Sequence, residues 1–175
     1  PRRRVMWSKG INAKEARAVF DYDEERGVLI RKGSVYEGAN GREITGYNRD
    51  AGYRGVDYKG NTVPFHALVF VVHYGVDVPP GYYVDHKDND KENNSPDNLR
   101  LVSPSQNSFN KRRSKTANKS GVKGVGFYKK YNKWRARVTA HGKTKLAGYF
   151  DTIEEAEFAV RKLREKLHGE YANHG

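Results

Sequence analysis

Asp85 and His86 stand side by side at the head of a stretch crowded with amides and carboxylates, Val84-Asp85-His86-Lys87-Asp88-Asn89-Asp90-Lys91-Glu92-Asn93-Asn94. Hydrolysis of a phosphodiester needs a base to take a proton from water and a cation to neutralise charge on the phosphate and the departing oxygen. His86 has the chemistry of the base, and Asp85 can hold the cation. A hard divalent ion such as Mg2+ takes oxygen ligands and keeps several waters, so one carboxylate and one amide oxygen, completed by substrate phosphate, make a sufficient set. Asn107 is the candidate for that amide. The run from Asp88 to Asn93 carries the oxygens of a calcium loop but lacks that loop's central Gly and bidentate Glu, so it reads as a turn.

Elements must bring these groups into place. Ser103-Pro104-Ser105-Gln106 has the form of a capping box with Pro at the first helical position, so a helix starts just before Asn107 and sets Asn107 and Asn110 on one face. Pro79-Pro80-Gly81 leads into a strand over 82–85 that delivers Asp85. Residues 65–74 are apolar almost throughout, and their β-branched content suits a strand as well as a buried helix. Nearer the start, Asn12-Ala13-Lys14-Glu15 opens a short helix through about Phe20. Asp21 to Gly27 then turn the chain into a strand at Val28-Leu29-Ile30, and glycines break the following stretch into short strands ending in a hairpin over 56–63.

Taken together, Asp85-His86, Asn93-Asn94, Asp97-Asn98-Leu99-Arg100-Leu101-Val102-Ser103 and Gln106-Asn107 resemble the His-Asn-His homing endonucleases of phages and introns. The resemblance implies a ββα-metal unit with one catalytic divalent ion, Mg2+ or Mn2+. In it His86 would be the general base, Asn98 would orient it, and Asp85 and Asn107 would be the metal ligands. Asn107 stands where the family's name has its last His, as in the Asn-ending branch. Pro64-Phe65-His66-Ala67-Leu68-Val69 matches the segment that precedes the motif, with Ala67 in place of the usual Arg, and favours a helix over 65–74.

The 175 residues carry a net charge of +12, are 36% hydrophobic and have a mean hydropathy of −0.94 and a pI near 9.8. Modest cores, and so two small units, fit these values better than one large core. The positive balance points to a polyanionic partner, and it is uneven: no Asp or Glu lies between Asn98 and Phe150 while Lys and Arg recur throughout. With no cysteine, neither disulfides nor a thiolate zinc site can staple the fold. No apolar run approaches a membrane span and Pro1-Arg2-Arg3-Arg4 lacks a signal peptide's apolar segment, so a cytoplasmic protein is expected. Residues 111–120, including Arg112 and Arg113, have no apolar periodicity and read as a cationic linker between a nuclease domain over 1–110 and a second domain over 121–175.

In that second domain, strand 134–141 alternates Trp134, Ala136, Val138 and Ala140 with Arg135, Arg137, Thr139 and His141, which buries one face and leaves the other cationic. His141-Gly142-Lys143 turns it into strand 143–150. Thr152-Ile153-Glu154-Glu155 then opens a helix whose apolar stripe is Ile153, Ala156, Val160, Leu163 and Leu167, stopped by Gly169. Gly121-Val122-Lys123-Gly124-Val125, Leu146-Ala147-Gly148-Tyr149-Phe150-Asp151-Thr152 and His168-Gly169-Glu170-Tyr171-Ala172 resemble the plant APETALA-two/ethylene-response-factor DNA-binding domain. That resemblance implies an α+β module, a three-stranded antiparallel sheet on one helix, with the sheet in the major groove. Arg137 and Thr139 match its contacting positions; Lys123, Tyr128, Lys130 and Arg135 are further candidates, with Lys143 and Lys145 beside them. Double-stranded DNA is then the expected partner of a monomer that needs no other protein. A DNA-binding regulator with a retired nuclease module, or an RNA binder, would share the charge but has no use for Asp85, His86, Asn98 and Asn107.

Overall fold

The computed structural model describes residues 10–32, 41–48, 52–110 and 119–174. It is a mixed fold of small antiparallel sheets and, among the described residues, four α-helices. The chain divides into two compact units, Pro1–Pro104 and Ser105–Gly175.

The first unit opens with α1 (Ala13–Val19), started by the Asn12 side chain, whose Oδ1 accepts from the Glu15 N–H at 3.0 Å. Strand β1 (Phe20–Asp23) follows at once and pairs antiparallel with β2 (Val28–Arg31), which also pairs with β3 (Glu43–Ile44). The expected helical end at Phe20 and turn from Asp21 is therefore corrected: Phe20 is fully buried and opens a strand. Two aspartates, poor strand formers, hid it in a sequence of local propensities. Strands β4 (Tyr47–Asn48), β5 (Arg54–Tyr58) and β6 (Asn61–Pro64) form a second sheet, with β5 and β6 making the expected hairpin.

Helix α2 (Phe65–Tyr74) settles the ambiguity of 65–74. Every residue from Phe65 to Val72 is buried, so it is apolar all round because it runs through the core. Gly75, left-handed at φ 67°, ends it. Its neighbours in the core include Ala16, Phe20, Leu29, Val56, Val63 and Leu99. Against it lies the antiparallel pair β7 (Tyr83–His86) and β8 (Leu99–Val102), joined by a loop that ends in a 3-10 turn at Pro96–Asn98.

The second unit begins with α3 (Pro104–Asn110), which the sequence assigns to the nuclease domain. Phe109 explains the membership: it is buried, stacked on His168 with ring centroids 3.9 Å apart, and its carbonyl accepts from the Lys123 ammonium at 3.3 Å. Strands β9 (Val125–Tyr128), β10 (Lys133–Ala140) and β11 (Lys143–Phe150) form a sheet in the order β11-β10-β9, backed by α4 (Ile153–His168). Thr152 and Glu155 make the expected reciprocal cap of α4. Val125, Ala136, Val138, Ala156 and Val160 are its core, with Trp134 packed against them. Two polar side chains join the buried stripe: Arg164, 2% exposed, donates to the Lys123 carbonyl and to His174 Nδ1, and His168 meets the Thr139 carbonyl.

Candidate active site

Strand alternation decides what β7 presents. Val84 and His86 point into the first unit and are buried, while Tyr83 and Asp85 are only partly covered. The inward direction brings the His86 ring against His66 of α2, with centroids 4.5 Å apart. His66 Nε2 lies 3.2 Å from the Val84 carbonyl, which can only accept, so that nitrogen carries the hydrogen. Burial, then the neighbouring His86, push His66 down to about 3, leaving it neutral in any ordinary buffer. Tyr53 flanks both imidazoles, its ring 5.6 Å from His66 and 6.3 Å from His86, and the Lys91 ammonium sits 4.7 Å over the Tyr53 ring.

The loop between β7 and β8 is organised by Asp88 and Asn98. Asp88 accepts from the Asp90 N–H at 2.8 Å, from Asn98 Nδ2 at 2.9 Å and from Asn93 Nδ2 at 2.8 Å. Burial opposes ionisation of Asp88, but these bonds and the charge of His86 outweigh it and hold the carboxyl below its usual range. Asn98 donates also to the Asn93 carbonyl at 2.8 Å, and its Oδ1 accepts from the Asp88 N–H at 3.2 Å. The Asp88–Asn93 run thus closes on itself as a turn. His86 Nε2 lies 3.1 Å from Asn94 Oδ1, a contact that sequence reasoning missed because nothing distinguishes Asn94 from its neighbours in an amide-rich turn.

Asp85 faces its cross-strand partner Arg100, whose Nη2 is 3.4 Å from Oδ2, with both side chains largely covered. Arg100 also escaped the sequence reading, where it counted only as one more cation. Asn107 lies on α3 and belongs to the second unit. Among the described residues no three His, Cys, Asp or Glu side chains converge into a cation cage. The Asp85 carboxylate fits a hydrated hard ion that takes most of its oxygens from water and substrate, and does not fit a dry, all-protein site. Elsewhere on α2, His73 Nδ1 lies 2.8 Å from Glu24 Oε1.

Comparison with known proteins matches the stretch that contains this hairpin. Residues 63–109, from the end of β6 through most of α3, match the family model described as HNH endonuclease. Protein 3.8 of Escherichia phage T7 is 42% identical over 95 residues, which cover 54% of this chain and 77% of that protein. The chain belongs to the HNH endonuclease family. It is therefore a nuclease, of a family that acts on DNA and generally uses a divalent metal ion. A protein of Acanthamoeba polyphaga mimivirus, named an uncharacterized HNH endonuclease, is 35% identical over 117 residues, 67% of this chain and 59% of its own length. No solved structure matches the chain.

The HNH endonuclease match ends at residue 109, and the second unit has its own candidate surface. Arg135, Arg137 and Thr139 point away from α4, with Arg137 and Thr139 exposed. The Arg135 guanidinium lies 4.8 Å over the Tyr128 ring, which clusters with Tyr131 and Tyr149. Lys130 is exposed beside Tyr131. Lys123 turns inward, its ammonium on the Phe109 and Asn173 carbonyls, and burial, then Arg164, push it down to about 8.

Pairing between β10 and β11 slips between Ala136 and Arg137: Gly148 is opposite Ala136, Leu146 opposite Arg137, and Ala147 is the extra residue of a bulge. Beyond it Leu146 and Thr144 share the outer face with Arg137 and Thr139. Lys145 and Lys143, opposite Val138 and Ala140, fall on the α4 side. Arg112 and Arg113 lie outside the described residues, as does most of the expected linker.

Proposed function

We propose that this chain is a metal-dependent, site-preferring DNA endonuclease of the homing type, in which His86 takes the proton from the attacking water. The observation that carries this reading is the pair of imidazoles under β7: His66 is neutral, and His86, packed on it at 4.5 Å, sits beside the Asp85 carboxylate on the next residue. Packed on an uncharged partner and next to Asp85, the His86 imidazole has the chemistry of a general base. Asp85 would be the first unit's ligand for the Mg2+ or Mn2+ ion, which when bound supplies charge neutralisation at the scissile phosphate. Arg100 faces Asp85 from the neighbouring strand, its Nη2 3.4 Å from Oδ2. Asn98 holds the loop that closes over the base.

DNA preference would come from the second unit, a three-stranded sheet on one helix with a cationic outer face that resembles the APETALA-two module. Arg135, Arg137 and Thr139 would meet the major groove, with Tyr128 and Lys130 at one end and the 111–120 segment on phosphates. On this reading a monomer would nick one strand. His86→Ala should lower plasmid cleavage in Mg2+ or Mn2+ by at least ~100-fold while leaving DNA affinity within about twofold. EDTA should stop the parent's cleavage and spare its binding. Undiminished cutting by the substituted chain would remove His86 from the mechanism.

A further inference from the structure

We infer that Asn94 is the residue that orients His86, fixing the imidazole with its hydrogen on Nε2 so that Nδ1 carries the lone pair that accepts the proton. This rests on the nuclease reading above for the use of that lone pair, but the orientation itself stands on geometry alone. Nε2 of His86 is 3.1 Å from Asn94 Oδ1. The amide could in principle be turned end for end, and its other contact decides against that. Asn94 Nδ2 donates to the Glu92 carbonyl at 3.0 Å, and the Asn94 backbone N–H donates to the same oxygen at 3.0 Å. Turned over, the amide would set oxygen against the Glu92 carbonyl and lose a donor there. The oxygen therefore faces His86, and a ring nitrogen facing an amide oxygen must carry the hydrogen.

Asn94 lies on the loop that Asn98 and Asp88 brace, so Asn98 acts on the base at one remove, by holding the segment that holds the ring. The family motif gives the orienting role to Asn98; here the side chain that touches the imidazole is Asn94. Beside the ring lie His66 and Tyr53, with the Lys91 ammonium over Tyr53.

The test uses the full-length chain labelled with 15N in its imidazoles, the parent beside Asn94→Leu and Asn94→Asp, with plasmid nicking in Mg2+ measured on each. The parent's His86 should show a protonated Nε2 and an unprotonated Nδ1 at pH 8. Asn94→Leu should lose that preference and drop kcat roughly 100-fold with KM little changed. Asn94→Asp, whose carboxylate oxygen can still accept from the Nε2 hydrogen, should keep the tautomer and most of kcat, a rescue that a merely structural loop residue would not give. A parent ring protonated at Nδ1, or an Asn94→Leu chain that keeps both tautomer and rate, would overturn the assignment. Should Asn94→Leu not fold, loss of the Nε2-protonated tautomer in Asn94→Asp overturns it equally. A parent that cuts nothing sinks the nuclease reading instead, while its imidazole spectrum still decides where the hydrogen lies.

Discussion

His66 reaches about 3 because an imidazolium there would be stripped of water and pressed against a second imidazole. The unfolded chain binds a proton on this residue below its ordinary value of about 6.5, whereas the folded chain does not until about 3. The unfolded state thus takes up more protons across that window, so stability is full above 6.5 and falls as pH drops, by about 1.4 kcal/mol per unit from this group. Urea midpoints of the first unit should decline between pH 7 and pH 4.5, and His66→Gln, whose amide can still donate to the Val84 carbonyl, should flatten the decline. An equally steep loss in the variant would place the acid sensitivity elsewhere. Asp88 acts in the same direction lower down, because its depressed carboxyl adds stability that disappears as pH falls through its folded value.

At the scale of elements, α2 and the β7–β8 hairpin matter most, since the first supplies the wall and the second the groups set against it. Asn98→Ala removes donors to Asp88 and to the Asn93 carbonyl at once, so it should loosen the loop and raise amide exchange over 87–95 before it alters global unfolding. In the second unit Gly124 is the tight point. Its φ is +83°, and a Cβ there would stand 2.5 Å from the Arg137 carbonyl oxygen. Gly124→Ala should cost about 2–3 kcal/mol in the stability of this unit, read by thermal unfolding.

Much of this was legible beforehand. Caps at Asn12 and Thr152, alternation along β10 and the Asp85-His86 motif each leave a local mark in the residues. What stayed hidden depends on partners distant in sequence. Phe20 is a strand residue because of Arg31, Asn94 matters because of His86, and Arg164 is buried because the Lys123 carbonyl awaits it. The bulge at Ala147 left no mark in a strand read by strict alternation.

For the whole molecule, a net charge of +12 with its acid-free stretch means that DNA affinity should be dominated by phosphate contacts. If roughly six to eight phosphates are neutralised, log affinity should fall with log salt at a slope of about −5 to −7, measurable by titration from 50 to 200 mM salt. Arg137→Ala should either reduce sequence preference, with the slope nearly kept, or lower affinity for all sequences and flatten the slope by about one; the first marks a base contact and the second a phosphate contact. Unchanged footprints and slope would take Arg137 out of the interface. Among the described residues no helix is long and apolar enough to cross a membrane.

The bulge in β11 has a practical corollary for anyone wishing to retarget this protein. Libraries that randomise every second residue of the strand, counted from Tyr149, would vary Ala147, Lys145 and Lys143, side chains turned toward α4 or lost in the bulge. If that outer face meets DNA as proposed, diversity useful for recognition belongs instead at Leu146 and Thr144, in phase with Arg137 and Thr139, with Gly148 left untouched to keep that phase.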